Sequence, residues 1–158
     1  MKTEELAERL IAELKLQGKT LSTAESCTGG GIGHVLTAVS GSSAVYAGGV
    51  ISYTNGVKEQ LLLVSSEILE QHGAVSGQTA EAMAQGIRNL LHTEYGVSVT
   101  GLAGPDGDGS GKPVGLVYVG VAWEHGCNVH QFLFQGDRRS VRQQAVEAAL
   151  NLLIEIVE

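Results

Sequence analysis

Two glycine-rich stretches constrain this chain more than any other feature. Gly29-Gly30-Gly31-Ile32-Gly33 and the run from Gly101 to Gly115 both follow segments that read as strands, and most of the remaining glycines stand singly where elements end. Glycine makes up 22 of 158 residues, about twice the average usage, with no repetitive linker to account for the excess. Backbone is therefore being asked to turn tightly, or to approach something closely, at strand ends. In an open α/β sheet those ends are where ligands bind.

Hydrophobic periodicity supplies the elements between the glycines. Residues 4–17 place Leu6, Leu10, Ile11 and Leu14 on one helical stripe that Gly18 ends, and Thr20 to Glu25 reads as a short strand. A helix is expected from near Cys27 through Val35, Leu36 and Val39 to the turn Ser40 to Ser43, with Ser26 or Thr28 as its cap. Val45 to Tyr53 follows as a strand. Asn55 and then Ser65 or Ser66 cap two short helices, the second closing at Gly73. Ser76 caps a longer helix running to Gly96. Val97 to Ala103 is a strand, Gly104 to Pro113 a loop, and Val114 to Trp123 with Val129 to Phe134 a hairpin. Asp137 caps a final helix. Helices between the early strands imply parallel pairing, and the late hairpin adds an antiparallel strand. The expected fold is a three-layer α/β/α sandwich, in one domain over residues 1–158, with a mixed, mostly parallel sheet of about five strands.

Composition narrows the function classes. An apolar fraction of 43% supplies a full core, and a net charge of −7 without a basic run argues against nucleic acid or anionic membrane as partner. The start MKTEELAERL is charged where a signal peptide needs an apolar segment, and no apolar run approaches the ~20 residues of a membrane span, so a cytoplasmic location is expected. Cys27 and Cys127 make neither a disulfide framework nor a metal cluster, and no metal or cofactor is expected.

Several familiar motifs fail on inspection. No register of Gly29 to Gly33 yields GxGxxG. Gly18-Lys19-Thr20 has Glu13 where a P-loop needs its first glycine. Asp106 and Asp108 begin like a calcium loop, but Val117 stands where the bidentate glutamate belongs. Ser26 is not in a GxSxG elbow. What survives is Thr23-Ala-Glu-Ser-Cys-Thr-Gly-Gly30 at a strand-to-helix junction. There a hydroxyl can simply cap the helix, or the following amides can hold an anion, either a ligand phosphate or an oxyanion formed by nucleophilic attack. Cys27 is either the nucleophile or a small buried side chain. No histidine falls at a strand end. Tyr53 and Lys58, where the chain leaves the second strand, can reach Ser26 if the first two strands are neighbours, so they are better placed to serve as its base than any histidine. Arg138, Arg139 and Arg142 open the last helix, where positive charge opposes the dipole, a conflict that suggests an anion site.

The segments Ala24 to Gly30, Gly73-Ala-Val-Ser76, Thr100-Gly-Leu-Ala-Gly-Pro105, Lys112-Pro-Val-Gly115 and Gly136-Asp-Arg138 stand in this order and at similar spacing in the CinA C-terminal domain family, which this chain resembles over nearly its whole length. The resemblance implies a three-layer α/β/α fold and a stand-alone chain without the N-terminal domain of longer members. It implies hydrolysis of the carboxamide of nicotinamide mononucleotide to nicotinic acid mononucleotide and ammonia. Ser26 matches the family's nucleophile, and Tyr53 and Lys58 match its helper residues. Cys27, Thr28, Gly29, Gly30, Thr100, Gly101, Ala103, Gly104, Arg138 and Arg142 are then the expected substrate-binding set, with Arg138 the family-matching cation for phosphate. The partner expected is a small nucleotide substrate, and a homodimer is compatible with a domain of this kind. The glycine-rich Asp106 to Gly111 and the strand Gly-Leu-Val-Tyr after it depart from the family's usual pattern and bear on substrate fit. Two other readings stand beside this one: a non-catalytic nucleotide-binding module, and an amidase for another small carboxamide.

Overall fold

The structure, a computed structural model, describes residues 2–158. Its elements in chain order are α1 (Thr3–Gln17), β1 (Leu21–Glu25), α2 (Gly31–Thr37), a 3-10 turn (Ser42–Ala44), β2 (Tyr46–Ile51), α3 (Asn55–Leu62), α4 (Ser66–His72), α5 (Gly77–Leu91), β3 (Tyr95–Gly101), β4 (Leu116–Trp123), β5 (Gly126–Leu133) and α6 (Arg138–Val157). One mixed sheet runs β2-β1-β3-β4-β5. β1 pairs in parallel with β2 and β3, and β4 pairs antiparallel with β3 and β5, so four of the five strands point the same way. The expected α/β/α sandwich is the fold observed.

α1, α2 and α6 cover one face. Their apolar stripes (Leu10, Leu14, Ile32, Val141, Ala149) meet Leu21, Val97, Val99 and Val119 in the main core. α3, α4 and α5 cover the other face, where Met83, Ile87, Leu62 and Leu69 close over Ala24. Every residue of β1 is buried, because both faces of the strand and both of its edges are covered. Among the described residues no helix is long and apolar enough to cross a membrane.

Several boundaries differ from the sequence reading, each for a local reason. α2 begins at Gly31 rather than near Cys27, and neither Ser26 nor Thr28 caps it. Gly30 holds the N-cap position with φ 97°, which leaves residues 26–30 as a separate turn. Thr54, not Asn55, caps α3 by accepting from the Val57 amide, while Ser65 and Ser76 cap α4 and α5. α5 stops at Leu91 with His92 in the left-handed conformation, and Gly96 belongs to β3. That glycine is required by close approach: a Cβ there would lie 2.5 Å from the Ala84 carbonyl of α5. β5 starts at Gly126, paired with Trp123, so a two-residue turn, Glu124-His125, closes the hairpin.

Because β1, β2 and β3 are parallel, their carboxyl ends share one sheet edge, and the antiparallel β4 begins there. Ser26, Ser52-Tyr53 and Leu102 to Gly104 leave the sheet at this edge, and β5 delivers Arg138 to it.

Candidate active site

A hollow of about 300 Å³ opens at this edge, and Ser26, Tyr53, Lys58, Thr100, Ala103 and Arg138 are among the residues that line it. A wider groove of about 440 Å³ lies between β5 and α6, but it is lined by Phe132, Phe134 and helix side chains and offers no buried nucleophile or base. Size does not mark the site; chemistry does.

At the floor of the smaller hollow, Lys58 Nζ lies 3.3 Å from Ser26 Oγ and donates a 2.7 Å hydrogen bond to the Ser52 carbonyl. The lysine is 1% exposed. It sits on the inward stripe of the short helix α3, four residues before Leu62, the other buried side chain of that helix. No carboxylate stands within 4 Å of it among the described residues. Burial without a counter-ion disfavours the ammonium, and the pKa falls from 10.5 to about 8. Such an amine is part neutral near physiological pH and can take a proton from the hydroxyl beside it.

Cys27 lines the same hollow, but burial pushes its thiol up to about 11, so it stays protonated and a poor nucleophile. Tyr53 is largely exposed. Its hydroxyl accepts a 3.3 Å hydrogen bond from Arg138, while Lys58 itself lies against Ser26. Arg138 also donates 2.7 Å to the Gly104 carbonyl, which places a guanidinium on the rim. None of the three α6 arginines makes an ion pair with Asp137 or Glu147.

The rest of the expected binding set divides. Thr100, Gly101, Ala103 and Gly104 line the hollow, yet the Thr100 hydroxyl is committed to the Ala74 carbonyl (2.6 Å). Glycine at 101 and 104 serves internal packing: a Cβ would lie 2.8 Å from the Leu116 carbonyl at the first and 2.5 Å from Val114 Cγ1 at the second. Thr28, Gly29, Gly30 and Arg142 do not line the hollow. Arg142 donates from Nε to the Cys27 carbonyl (3.0 Å) and from its terminal nitrogen to that of Thr28 (3.3 Å), and the Gly29 amide donates to the Ser26 carbonyl. The amides of Cys27 and Thr28 have no hydrogen-bond partner among the described residues. No cluster of three or more metal-ligating side chains occurs among the described residues.

Four residues at the site were given no role in it by the sequence. Ser52, fully buried, presents the carbonyl that holds Lys58, while its own amide and hydroxyl donate to the Glu25 carbonyl. Glu25 is buried beside the nucleophile. Asp106 and Asp108 add acid to the lining of the same hollow as Arg138. A lysine on an apolar helical stripe was a visible signal; a carbonyl anchor has none.

The model of the CinA C-terminal domain family matches residues 3–157. A CinA-like protein of Parasynechococcus marenigrum (strain WH8102) is 52% identical over 153 residues, covering 95% of this chain and 36% of the relative. One from Synechococcus sp. (strain CC9311) is 57% identical over 125 residues, covering 79% and 30%. The chain thus spans about a third of the length of the curated relatives it matches. Among solved structures, a CinA superfamily protein from Klebsiella pneumoniae superposes with a TM-score of 0.97 at 34% identity, over 99% of this chain and 98% of that one. The competence/damage inducible protein CihA from Agrobacterium tumefaciens gives 0.95 at 42% identity, over 99% and 96%. The chain belongs to the CinA C-terminal domain family.

Proposed function

We propose that this member of the CinA C-terminal domain family hydrolyses the carboxamide of nicotinamide mononucleotide with Ser26 as nucleophile and Lys58 as base. The observation that carries the reading is a buried lysine, with no counter-ion among the described residues, against the hydroxyl of a buried serine, in a hollow at the carboxyl edge of the parallel strands.

Neutral Lys58 keeps one N–H on the Ser52 carbonyl, which leaves its lone pair free to take the Ser26 proton. Ser26 Oγ attacks the carboxamide carbon, and the unpaired amides of Cys27 and Thr28 are the donors available to the oxyanion. The Lys58 ammonium then gives its proton to the departing nitrogen, ammonia leaves, and an ester on Ser26 remains. Water, deprotonated by Lys58, cleaves that ester to the pyridine carboxylate and free serine. Arg138 on the rim is the cation for the phosphate.

The test is ammonia release from purified protein given nicotinamide mononucleotide. Ser26→Ala should lose on the order of 10⁴-fold in kcat while nucleotide binding persists. Arg138→Ala should raise KM for the mononucleotide roughly tenfold or more, a lost charged hydrogen bond of about 1.5–3 kcal/mol, and change it little for the phosphate-free riboside. Retained turnover in Ser26→Ala refutes the nucleophile, and equal KM effects on both substrates place the phosphate elsewhere.

A further inference from the structure

Glu25 is 2% exposed, and no cation lies within 4 Å of its carboxylate among the described residues. A buried carboxylate must be satisfied by hydrogen bonds instead. Three donors converge on it. Thr28 Oγ1 donates to Oε1 at 2.7 Å, the Ile32 amide to Oε1 at 2.9 Å, and the Gly33 amide to Oε2 at 3.0 Å. Those amides are the second and third of α2, so the positive end of that helix is spent on an internal carboxylate and not on a ligand.

The placement joins both halves of the Ser26–Lys58 pair. Glu25 precedes Ser26 in the chain, and its side chain folds forward to hold the far side of the turn that Ser26 opens. Its carbonyl accepts from the Ser52 amide (2.7 Å) and hydroxyl (3.2 Å), and the Ser52 carbonyl in turn holds Lys58. From α6, Arg142 donates to the Cys27 carbonyl. A trans peptide unit is rigid, so holding that carbonyl also sets the direction of the Thr28 amide in the same unit. An anion thus holds Thr28 of the turn and the first amides of the helix that follows it, and a cation holds the carbonyls of Cys27 and Thr28.

We propose that Glu25 is a positioning residue: its carboxylate fixes the 26–30 turn so that Ser26 Oγ stays within reach of Lys58 while the Cys27 and Thr28 amides stay available to the oxyanion. The inference rests on the Ser26–Lys58 reading above. A purely structural cap would lower stability and leave each folded molecule fully reactive. A positioning group instead controls the rate per folded molecule, since misplacement by about 1 Å can cost on the order of 100-fold.

The experiment uses the full chain and an alkyl fluorophosphonate as probe. Ser26 Oγ forms a bond to phosphorus, fluoride leaves, the hydroxyl proton passes to Lys58, and intact-protein mass counts the adduct. Circular dichroism, well below the melting temperature, establishes that each variant is folded. Glu25→Gln, which sets an amide N–H against the Gly33 amide, should be labelled about 10–100-fold more slowly than wild type. Thr28→Val, which removes one of the three bonds, should show a smaller slowing of about 3–10-fold. With nicotinamide mononucleotide, kcat should fall in parallel while KM moves less than about twofold. Folded Glu25→Gln labelled at the wild-type rate overturns the proposal. If Glu25→Gln does not fold, Thr28→Val decides, and wild-type labelling of that variant overturns it equally. Wild-type protein that takes no label at Ser26 refutes the Ser26–Lys58 reading itself, an outcome distinct from a labelled wild type with unaffected variants.

Discussion

The turn from Ser26 to Gly33 and the loop from Asp106 to Gly111 are both glycine-rich and sit in opposite surroundings. Between Ser26 and Gly33 the chain is clamped by its neighbours even where its backbone reaches the surface: Glu25 and Arg142 hold its donors and acceptors, and a Cβ at Gly29, Gly30, Gly31 or Gly33 would meet a neighbouring side chain within about 3.1 Å. Between Asp106 and Gly111 every residue is exposed, and a Cβ at Gly107, Gly109 or Gly111 would meet nothing within 4 Å. Its internal bonds are local, from the Ser110 amide and hydroxyl to the Asp108 carboxylate. The tether at its end is Lys112, which donates to the carbonyls of His72 and Val75. Both segments border the same hollow. Glycine marks two different needs: backbone with no room for a side chain, and backbone that turns through positive φ in open space, as at Gly109 (83°) and Gly111 (84°).

If the clamped turn carries the chemistry and the open loop only borders it, substitutions should separate by orders of magnitude. Lys58→Arg keeps a positive charge against Ser26 but cannot deprotonate, so kcat should fall about 10²–10⁴-fold. Ser110→Ala in the open loop should stay within about twofold. Steady-state rates on both variants decide it, and a Lys58→Arg enzyme with substantial turnover removes Lys58 as the base.

The same burial that prepares Lys58 should cost stability. The folded state releases the Lys58 proton near pH 8, whereas the unfolded chain keeps it to about 10.5, so between those values the unfolded state binds more protons and wild-type stability gains with rising pH. Lys58→Met should therefore be more stable than wild type at pH 7, by up to about 3 kcal/mol, with the gap closing as pH climbs from 8 to 10.5. Cys27 works in the opposite sense, its folded pKa raised to about 11, but it is common to both chains and drops out of the comparison. Denaturant melts at several pH values measure the gap, and a gap independent of pH would contradict a lysine neutralised by burial.

The smallest contrast is between the glycines themselves. Gly30→Ala forces a Cβ onto a residue with φ 97° against Ile51 and should cost about 1–2 kcal/mol. Gly107→Ala meets open space and should be neutral, or stabilising by about 0.4–1 kcal/mol through the unfolded state. Equal melting shifts for the two would erase the distinction between the segments.

Much of this was legible from residue order alone, because the deciding interactions are local. Apolar stripes at helical spacing located α1, α5 and α6, and Ser65, Ser76 and Asp137 announced helix starts through bonds that span three residues. Helices between the early strands implied parallel pairing, which brings Ser26, Tyr53, Lys58 and Gly104 to one edge. The three-dimensional packing decided what local rules cannot reach. Gly96 joined β3 because α5 lies against it, where sequence alone made it a helix terminator. α2 started at Gly31 because a carboxylate six or more residues earlier takes its amides, a reach longer than any capping pattern. Arg142 turned from the expected ligand site to the carbonyls of the turn because α6 packs beside it. Burial, finally, belongs to the assembled layers: a lysine on a short helix is an ordinary cation until α3 closes on the sheet, and only then is it held against Ser26 with its proton loosened.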